Sequence, residues 1–396
     1  MTTPSDARTA ARTLVASYCF PPYSDTAAVV AAKRVRQRGE PVDVIYNAMD
    51  NVRHQDPSLL GLCGDLVRNF AAIASPTHFS SWSSVTAFTR MGMDRALAWE
   101  QRQGPYERLY SRAHFSASHV LAGTFALARP GVRWTAEFSD PLSHDVLGRV
   151  RRADVTYNAL SAQLRRAVAE RGFELAGDNV FEWAEVIPFV LADELLFTNP
   201  NQRDVMLELC RDPELAVHAE RKATVSAHPT LPREYYHRLE SGYALNESRR
   251  HIGYFGNFYA NRSMETVVEA MKALPPAVRR RLAVHVFTGK ADQMAQDPDI
   301  VALGDSIVVR PYVHFLEFLN LCTKMDCLLV NDATTPAEVG INPFLPSKIS
   351  DYKGSGTPSW GIVEPGSRLE LESLTYRSPV GHVSAAAQVL AQVAGA

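Results

Sequence analysis

No stretch of the 396 residues is apolar for long enough to cross a bilayer, and Met1-Thr2-Thr3-Pro4-Ser5-Asp6 lacks the apolar core of a signal peptide. A cytoplasmic protein without a transmembrane segment is therefore expected, with peripheral membrane contact left open. Neither sign of charge is in excess, with 41 Lys and Arg against 43 Asp and Glu. A nucleic-acid partner needs a concentrated basic field, so none is expected. The five cysteines, Cys19, Cys63, Cys210, Cys322 and Cys327, form no CxxC pair and join no His/Cys cluster at metal spacing. That pattern excludes a zinc or disulfide framework and leaves reduced thiols in apolar runs. Internal repeats, low-complexity tracts and a Walker-type phosphate loop are missing as well.

What remains is a chain that is 46% hydrophobic and long enough for two cores, in which apolar runs alternate with helix-like segments. Thr13–Phe20 reads as a parallel strand, Ala27–Arg38 as a helix closed by Gly39, and Val42–Tyr46 as the next strand. Open α/β sheets bind ligands beyond the carboxyl ends of their strands, so Tyr23, Ser24 and Asp25 of the first loop are candidate site residues. Ser24 or Asp25 equally suits a helix cap. Leu59–Gln103 predicts helices and loops whose aromatics, Phe70, Phe79, Trp82, Phe88 and Trp99, belong to the core. A helix reaching Ala128 and the strand Val132–Phe138 follow, and the strand ends in Ser139-Asp140-Pro141. A carboxylate at a strand's carboxyl end makes Asp140 a candidate, with a turn cap before Pro141 as the plainer role.

The basic stretch Gly148–Gly172 predicts a helix with either a solvated face or an affinity for anionic membranes, and Phe189–Thr198 predicts a strand. Ala227–Pro232 reads as the linker, dividing the chain into domains over 1–228 and 229–396, with the final helix Val383–Val393 free to pack back on the first. In the second half, His251–Tyr259, Leu282–Gly289, Ile307–Val313, Met325–Val330 and Ser359–Val363 read as strands. Arg262 stands just before a helix start. Pro343 and Pro346 lead into another, where Ser347 suits an N-cap and Lys348, Asp351 and Tyr352 occupy the first turns. A cation at a helix start suits a phosphate, although Lys348 and Asp351 would be unremarkable on any exposed helix.

The run Asp351-Tyr352-Lys353-Gly354-Ser355-Gly356-Thr357-Pro358 resembles the end of the donor-site motif of retaining GT-B glycosyltransferases of family 4, and Pro346-Ser347-Lys348 with Asp351-Tyr352 is similar to a bacterial sugar-transferring branch. Tyr254–Arg262, the Ser116-x-x-His119 helix start and the Trp134 strand ending in Asp140-Pro141 extend the resemblance over most of the chain. It implies an α/β GT-B fold, two Rossmann-like domains facing across a cleft. It also implies a UDP- or GDP-linked sugar donor held mainly by the second domain, an unidentified acceptor in the first, retention of configuration, and neither metal nor cofactor. The implied donor residues are Gly256, Asn257, Arg262, Arg310, Tyr312, Asn342, Pro346, Ser347, Lys348 and Asp351. The implied acceptor residues are Tyr23, Ser24, Asp25, His119 and Ser139, and the implied catalytic ones are Asp140, Arg262 and Lys348. Of the family's two glutamates, the second falls on Asp351 and the first on Asn342 or Pro343. Its phosphate-gripping Arg falls on Asn257 and its Lys on Arg262. A sugar-nucleotide epimerase of the same build and a non-catalytic nucleotide-sugar-binding relative are the alternatives; carboxylates placed for glycoside hydrolysis are not identifiable.

Overall fold

The structure, a computed structural model, describes residues 10–77, 80–258, 262–335 and 339–395. Met1–Asp6, Phe79 and Tyr259-Ala260-Asn261, all invoked above, lie outside the described residues. The chain divides into two compact units, one running through Asp145 and resuming over Arg149–Ala227, the other formed by Val146–Gly148 with His228–Ala396.

Among the described residues, the first unit contains seven strands: β1 (Thr13–Ala16), β2 (Val42–Asn47), β3 (Val67–Ile73), β4 (Arg108–Ala113), β5 (Arg133–Phe138), β6 (Glu194–Phe197) and β7 (Ala223–Val225). They pair in parallel in the order β3-β2-β1-β4-β5-β6-β7. Leu14, Val15, Val44 and Ile45 are buried because helices cover both faces of such a sheet, which is why the central strands read as apolar runs. The first helix, Thr26–Arg38, starts where the Asp25 carboxylate accepts the Ala27 amide at 2.8 Å and ends at Gly39, whose φ of 69° favours glycine.

Several elements differ from expectation for physical reasons. Leu59–Gln103 contains β3, an edge strand whose Arg68 and Asn69 break the apolar pattern and whose Phe70 is 42% exposed. β4 carries Arg108 and Arg112, and Arg112 can lie inside because Glu137 on the neighbouring strand neutralises it. Phe189–Leu191 ends the helix Val180–Leu191 instead of starting a strand; an apolar run alone cannot separate the two. The Lys222 ammonium donates to the carbonyls of Phe189 and Ala192 at 2.6 and 2.9 Å, satisfying that helix end. In the basic stretch only Ala159–Ala169 is helical, opened by a reciprocal Asn158–Ser161 cap.

The second unit repeats the plan with β8 (Arg250–Phe255), β9 (Leu282–Phe287), β10 (Ile307–Arg310), β11 (Cys327–Asn331), β12 (Ser359–Val363) and β13 (Tyr376–Pro379), paired in parallel in the order β10-β9-β8-β11-β12-β13. β13 was not expected. It forms the sheet edge against β12. The final helix Val383–Val393 buries Ala386, Val389, Leu390 and Val393 in this unit's own core with Val267, Ala270 and Met271.

A buried imidazole pair fixes the start of this sheet. The Asn246 carbonyl can only accept, so His251 Nε2 donates to it at 2.9 Å, and His251 Nδ1 therefore accepts from His285 Nε2 at 2.8 Å. His285 Nδ1 in turn accepts from the Tyr243 hydroxyl at 2.8 Å. Burial, helped by His251 and Arg310, lowers the His285 pKa to about 4. An unfolded imidazole titrates near 6.5, so this ring contributes stability above that pH and loses it as pH falls toward 4, by about 3 kcal/mol. Urea unfolding of wild type and His285→Gln at pH 7.5 and pH 4 should show a larger acid loss in the wild type. Equal losses would assign the acid sensitivity elsewhere.

Candidate functional site

At the carboxyl end of β8, the Gly256 amide donates to the Phe287 carbonyl at 2.9 Å, and a Cβ there would lie 3.2 Å from the Tyr254 hydroxyl. The Asn257 side-chain oxygen accepts the Gly289 amide at 3.1 Å, tying the exits of β8 and β9 together. Tyr312 is 47% exposed with its ring against Gly289, and Arg310 is exposed. Arg262 is half-buried, two residues before Met264 and the helix Glu265–Ala273. The turn carrying it is held to β11 by Asn331, whose side-chain amide donates to the Ser263 carbonyl at 2.9 Å.

Lys348 opens the helix Lys348–Ser355. Ser347 does not cap that helix with its side chain as expected. Its backbone is already helical at φ −58° and ψ −28°, and its carbonyl accepts the Ser350 amide and hydroxyl. Pro346 likewise gives its carbonyl to Ile349, so both residues shape the approach to the helix. Lys348 is half-buried, and desolvation lowers its pKa to about 8, with Asp351 pulling it up and Arg262 pushing it down. Arg262 also acts on Asp332. The two cations thus share one field in the second domain, and among the described residues neither forms an ion pair. Arg262 Nε is buried with no hydrogen-bond partner. Asp351 is buried, and its main-chain carbonyl accepts the Tyr236 hydroxyl at 2.6 Å.

Asn342 departs from the expectation of a donor contact. It is 3% exposed, its amide donates to the Ala333 carbonyl at 3.0 Å and to Glu364 Oε2 at 2.9 Å, and its oxygen accepts the Phe344 amide at 2.9 Å. Both of its donor hydrogens are therefore used inside the loop. Sequence reasoning passed over the partners in this network. Asp332 follows β11, and its Oδ2 accepts the Glu364 amide at 2.9 Å and the Ser367 hydroxyl at 2.5 Å. Burial raises its pKa to about 6 against those bonds. The signal was available, because Asn331-Asp332 and Glu364 stand at strand carboxyl ends just as Asp140 does.

In the first domain Asp140 follows β5 and is half-buried, and the Ser139 hydroxyl donates to the Ala113 carbonyl at 2.6 Å. Ser24 is exposed. Asp25 is both the helix cap described above and an ion-pair partner of Arg53 at 2.7 Å. Two acceptor assignments are corrected. Tyr23 is 3% exposed and its hydroxyl donates to Asp50 at 3.0 Å. His119 is fully buried beside Phe138. Trp134 Nε1 donates to the Ser111 hydroxyl, which also hydrogen-bonds His119 Nδ1 at 2.8 Å, and burial lowers the pKa of the ring to about 3. A neutral core imidazole cannot meet an acceptor.

Among the described residues no group of three or more His, Cys, Asp or Glu is placed to hold a metal ion, and no helix is long and apolar enough to cross a membrane. No family model matches the chain, and no curated protein matches it. Solved structures do. The Anabaena protein HepE, in complex with UDP-glucose, is 11% identical over 96% of this chain and 92% of its own, with a TM-score of 0.57. A glycosyltransferase from Rickettsia africae is 9% identical over 98% of this chain and 88% of its own, with a TM-score of 0.56. A UDP-N-acetylglucosamine 2-epimerase is 11% identical over 97% of this chain and 87% of its own, with a TM-score of 0.52. At these identities the likeness defines the fold alone, and that fold is GT-B, with two Rossmann-like parallel-sheet domains.

Proposed function

We propose that this chain is a glycosyltransferase that takes a sugar from a UDP- or GDP-linked donor, with retention and without a metal, as in family 4. The observation that carries the reading is the pair Arg262 and Lys348, two cations in one field with no ion-pair partner among the described residues. A leaving nucleoside diphosphate is the anion such a pair suits, since charge grows on it as the glycosidic bond breaks and fixed cations oppose that charge without reorganising. With a pKa near 8 the Lys348 ammonium is mostly charged at neutral pH, and a bound diphosphate would raise it further. Tyr312 and Gly289 would meet the base. Asp140 would orient the acceptor hydroxyl. The solved 2-epimerase with the same fold keeps a second reading in view, because the same diphosphate site would serve an epimerase acting without an acceptor.

Thermal unfolding with a panel of nucleoside diphosphates tests the first step. A ligand at a hundred times its dissociation constant stabilises the native state by about 2.7 kcal/mol, so UDP or GDP should stand out from the panel. Incubation with the matching nucleotide sugars then separates the readings. Diphosphate release that depends on added acceptor supports transfer, a new sugar epimer without acceptor supports epimerisation, and binding without turnover supports a non-catalytic role. Asp140→Asn should lower transfer by about a hundredfold with diphosphate affinity unchanged, the range of a positioned charge or base. Normal turnover by the folded variant would leave Asp140 as a turn cap only.

A further inference from the structure

Glu364 follows β12, is half-buried, and gathers both sides of the chain between β11 and the Lys348 helix. Its Oε1 accepts the Thr335 amide at 2.6 Å, and its Oε2 accepts the Thr335 hydroxyl at 2.6 Å and the Asn342 side-chain amide at 2.9 Å. Its own amide donates to Asp332 at 2.9 Å, which fixes the carboxylate's origin to the end of β11. Asn342 passes the restraint on, since its oxygen holds the Phe344 amide ahead of Pro346 and Lys348. Three donors converge on this one side chain.

We infer that Glu364 is a positioning residue for the nucleotide-sugar donor: by bracing Thr335 and Asn342 it sets the chain that leads to Lys348 at the start of its helix. The inference rests on the donor site proposed above. A brace of this kind acts through the ammonium's place, so its loss changes the affinity of the folded protein for the diphosphate more than it changes folding.

The test is calorimetric titration of UDP and GDP into wild type, Glu364→Gln and Thr335→Val, far below each protein's unfolding midpoint. Glu364→Gln keeps the shape but turns one acceptor oxygen into a donor, so it breaks at least one of the three bonds. Its diphosphate dissociation constant should rise about tenfold, the scale of a lost charge-assisted bond. Thr335→Val, which removes a single donor, should raise it by less, and the double variant should add little to Glu364→Gln because both cut the same brace. An affinity within twofold of wild type in folded Glu364→Gln would overturn the positioning role while the donor site stands. If the wild type binds neither diphosphate, the donor reading itself fails and the inference falls with it. In turnover assays, a rise in donor KM with acceptor KM unchanged supports the role; equal changes in both KM values, with a lowered unfolding midpoint, would reduce Glu364 to a stabilising contact.

Discussion

Replacing Arg262 and Lys348 together by alanine is expected to weaken nucleoside-diphosphate binding by about a thousandfold without lowering the stability of the free protein. A hydrogen bond from a charged donor to phosphate is worth roughly 2 kcal/mol, and two of them about 4, which is close to three decades in the dissociation constant. The stability half of the prediction follows from the same electrostatics. Lys348 is desolvated and opposed by Arg262, so in the empty site its charge is a cost that alanine removes. The pH dependence has a defined sign. A Lys whose pKa is lowered to about 8 loses its proton as pH rises through that value, so diphosphate affinity should fall above about pH 8. Arg262→Ala alone takes away one of the forces depressing that pKa and should move the fall to higher pH. Titration calorimetry between pH 6 and 9.5 reads all three effects. A double variant that binds within threefold of wild type would remove the diphosphate from this site.

The alternation of strand and helix was legible because strands buried on both faces leave mostly apolar runs, as in Thr13–Ala16 and Cys327–Asn331. The strands that escaped are those where the rule weakens: β3, β7 and β13 at sheet edges, and β4, where a buried arginine interrupts the run. That Arg262 and Lys348 stand beside helix starts was legible for a related reason, because local residues mark both starts. The strand-end positions of Asp332 and Glu364 were legible but the brace between them was not, because their partners lie 22, 29 and 35 residues away and no local pattern joins them. Tyr23 and His119 show the converse limit. A polar side chain in a loop or on a helix reads the same in sequence whether it faces solvent or finds a buried partner, and only Asp50 and Ser111 decide which.

Glu137→Ala should destabilise the first domain by about 3 to 5 kcal/mol, a large share of the roughly 5 to 15 kcal/mol that holds a domain folded. Glu137 is fully buried; its Oε1 accepts from Arg112 at 2.6 Å and Arg34 at 3.3 Å, and its Oε2 accepts from Arg34 at 3.1 Å and the Tyr110 hydroxyl at 2.5 Å. Removing the carboxylate takes away the charge that two guanidinium groups, themselves 2% and 4% exposed, pair with. The damage should reach the end of the domain, because Arg34 also donates to the Ser226 carbonyl at 2.8 Å just past β7. Opposing cations hold the Glu137 pKa below its ordinary value despite burial, so its contribution is present above the unfolded carboxylate range and is lost only below it. The destabilisation by Glu137→Ala should therefore be nearly the same at pH 7.5 and pH 5.5, whereas the His285 contribution is already shrinking at the lower value. The ion network need not be the most stable solution for that space: Glu137→Met with Arg34→Met and Arg112→Leu should recover much of what Glu137→Ala loses, since no buried charge is left unpaired. A Glu137→Ala protein within 1 kcal/mol of wild type by urea unfolding would mean that water or another carboxylate reaches these arginines, and the buried network would then not be what fixes β4 and β5 to the first helix.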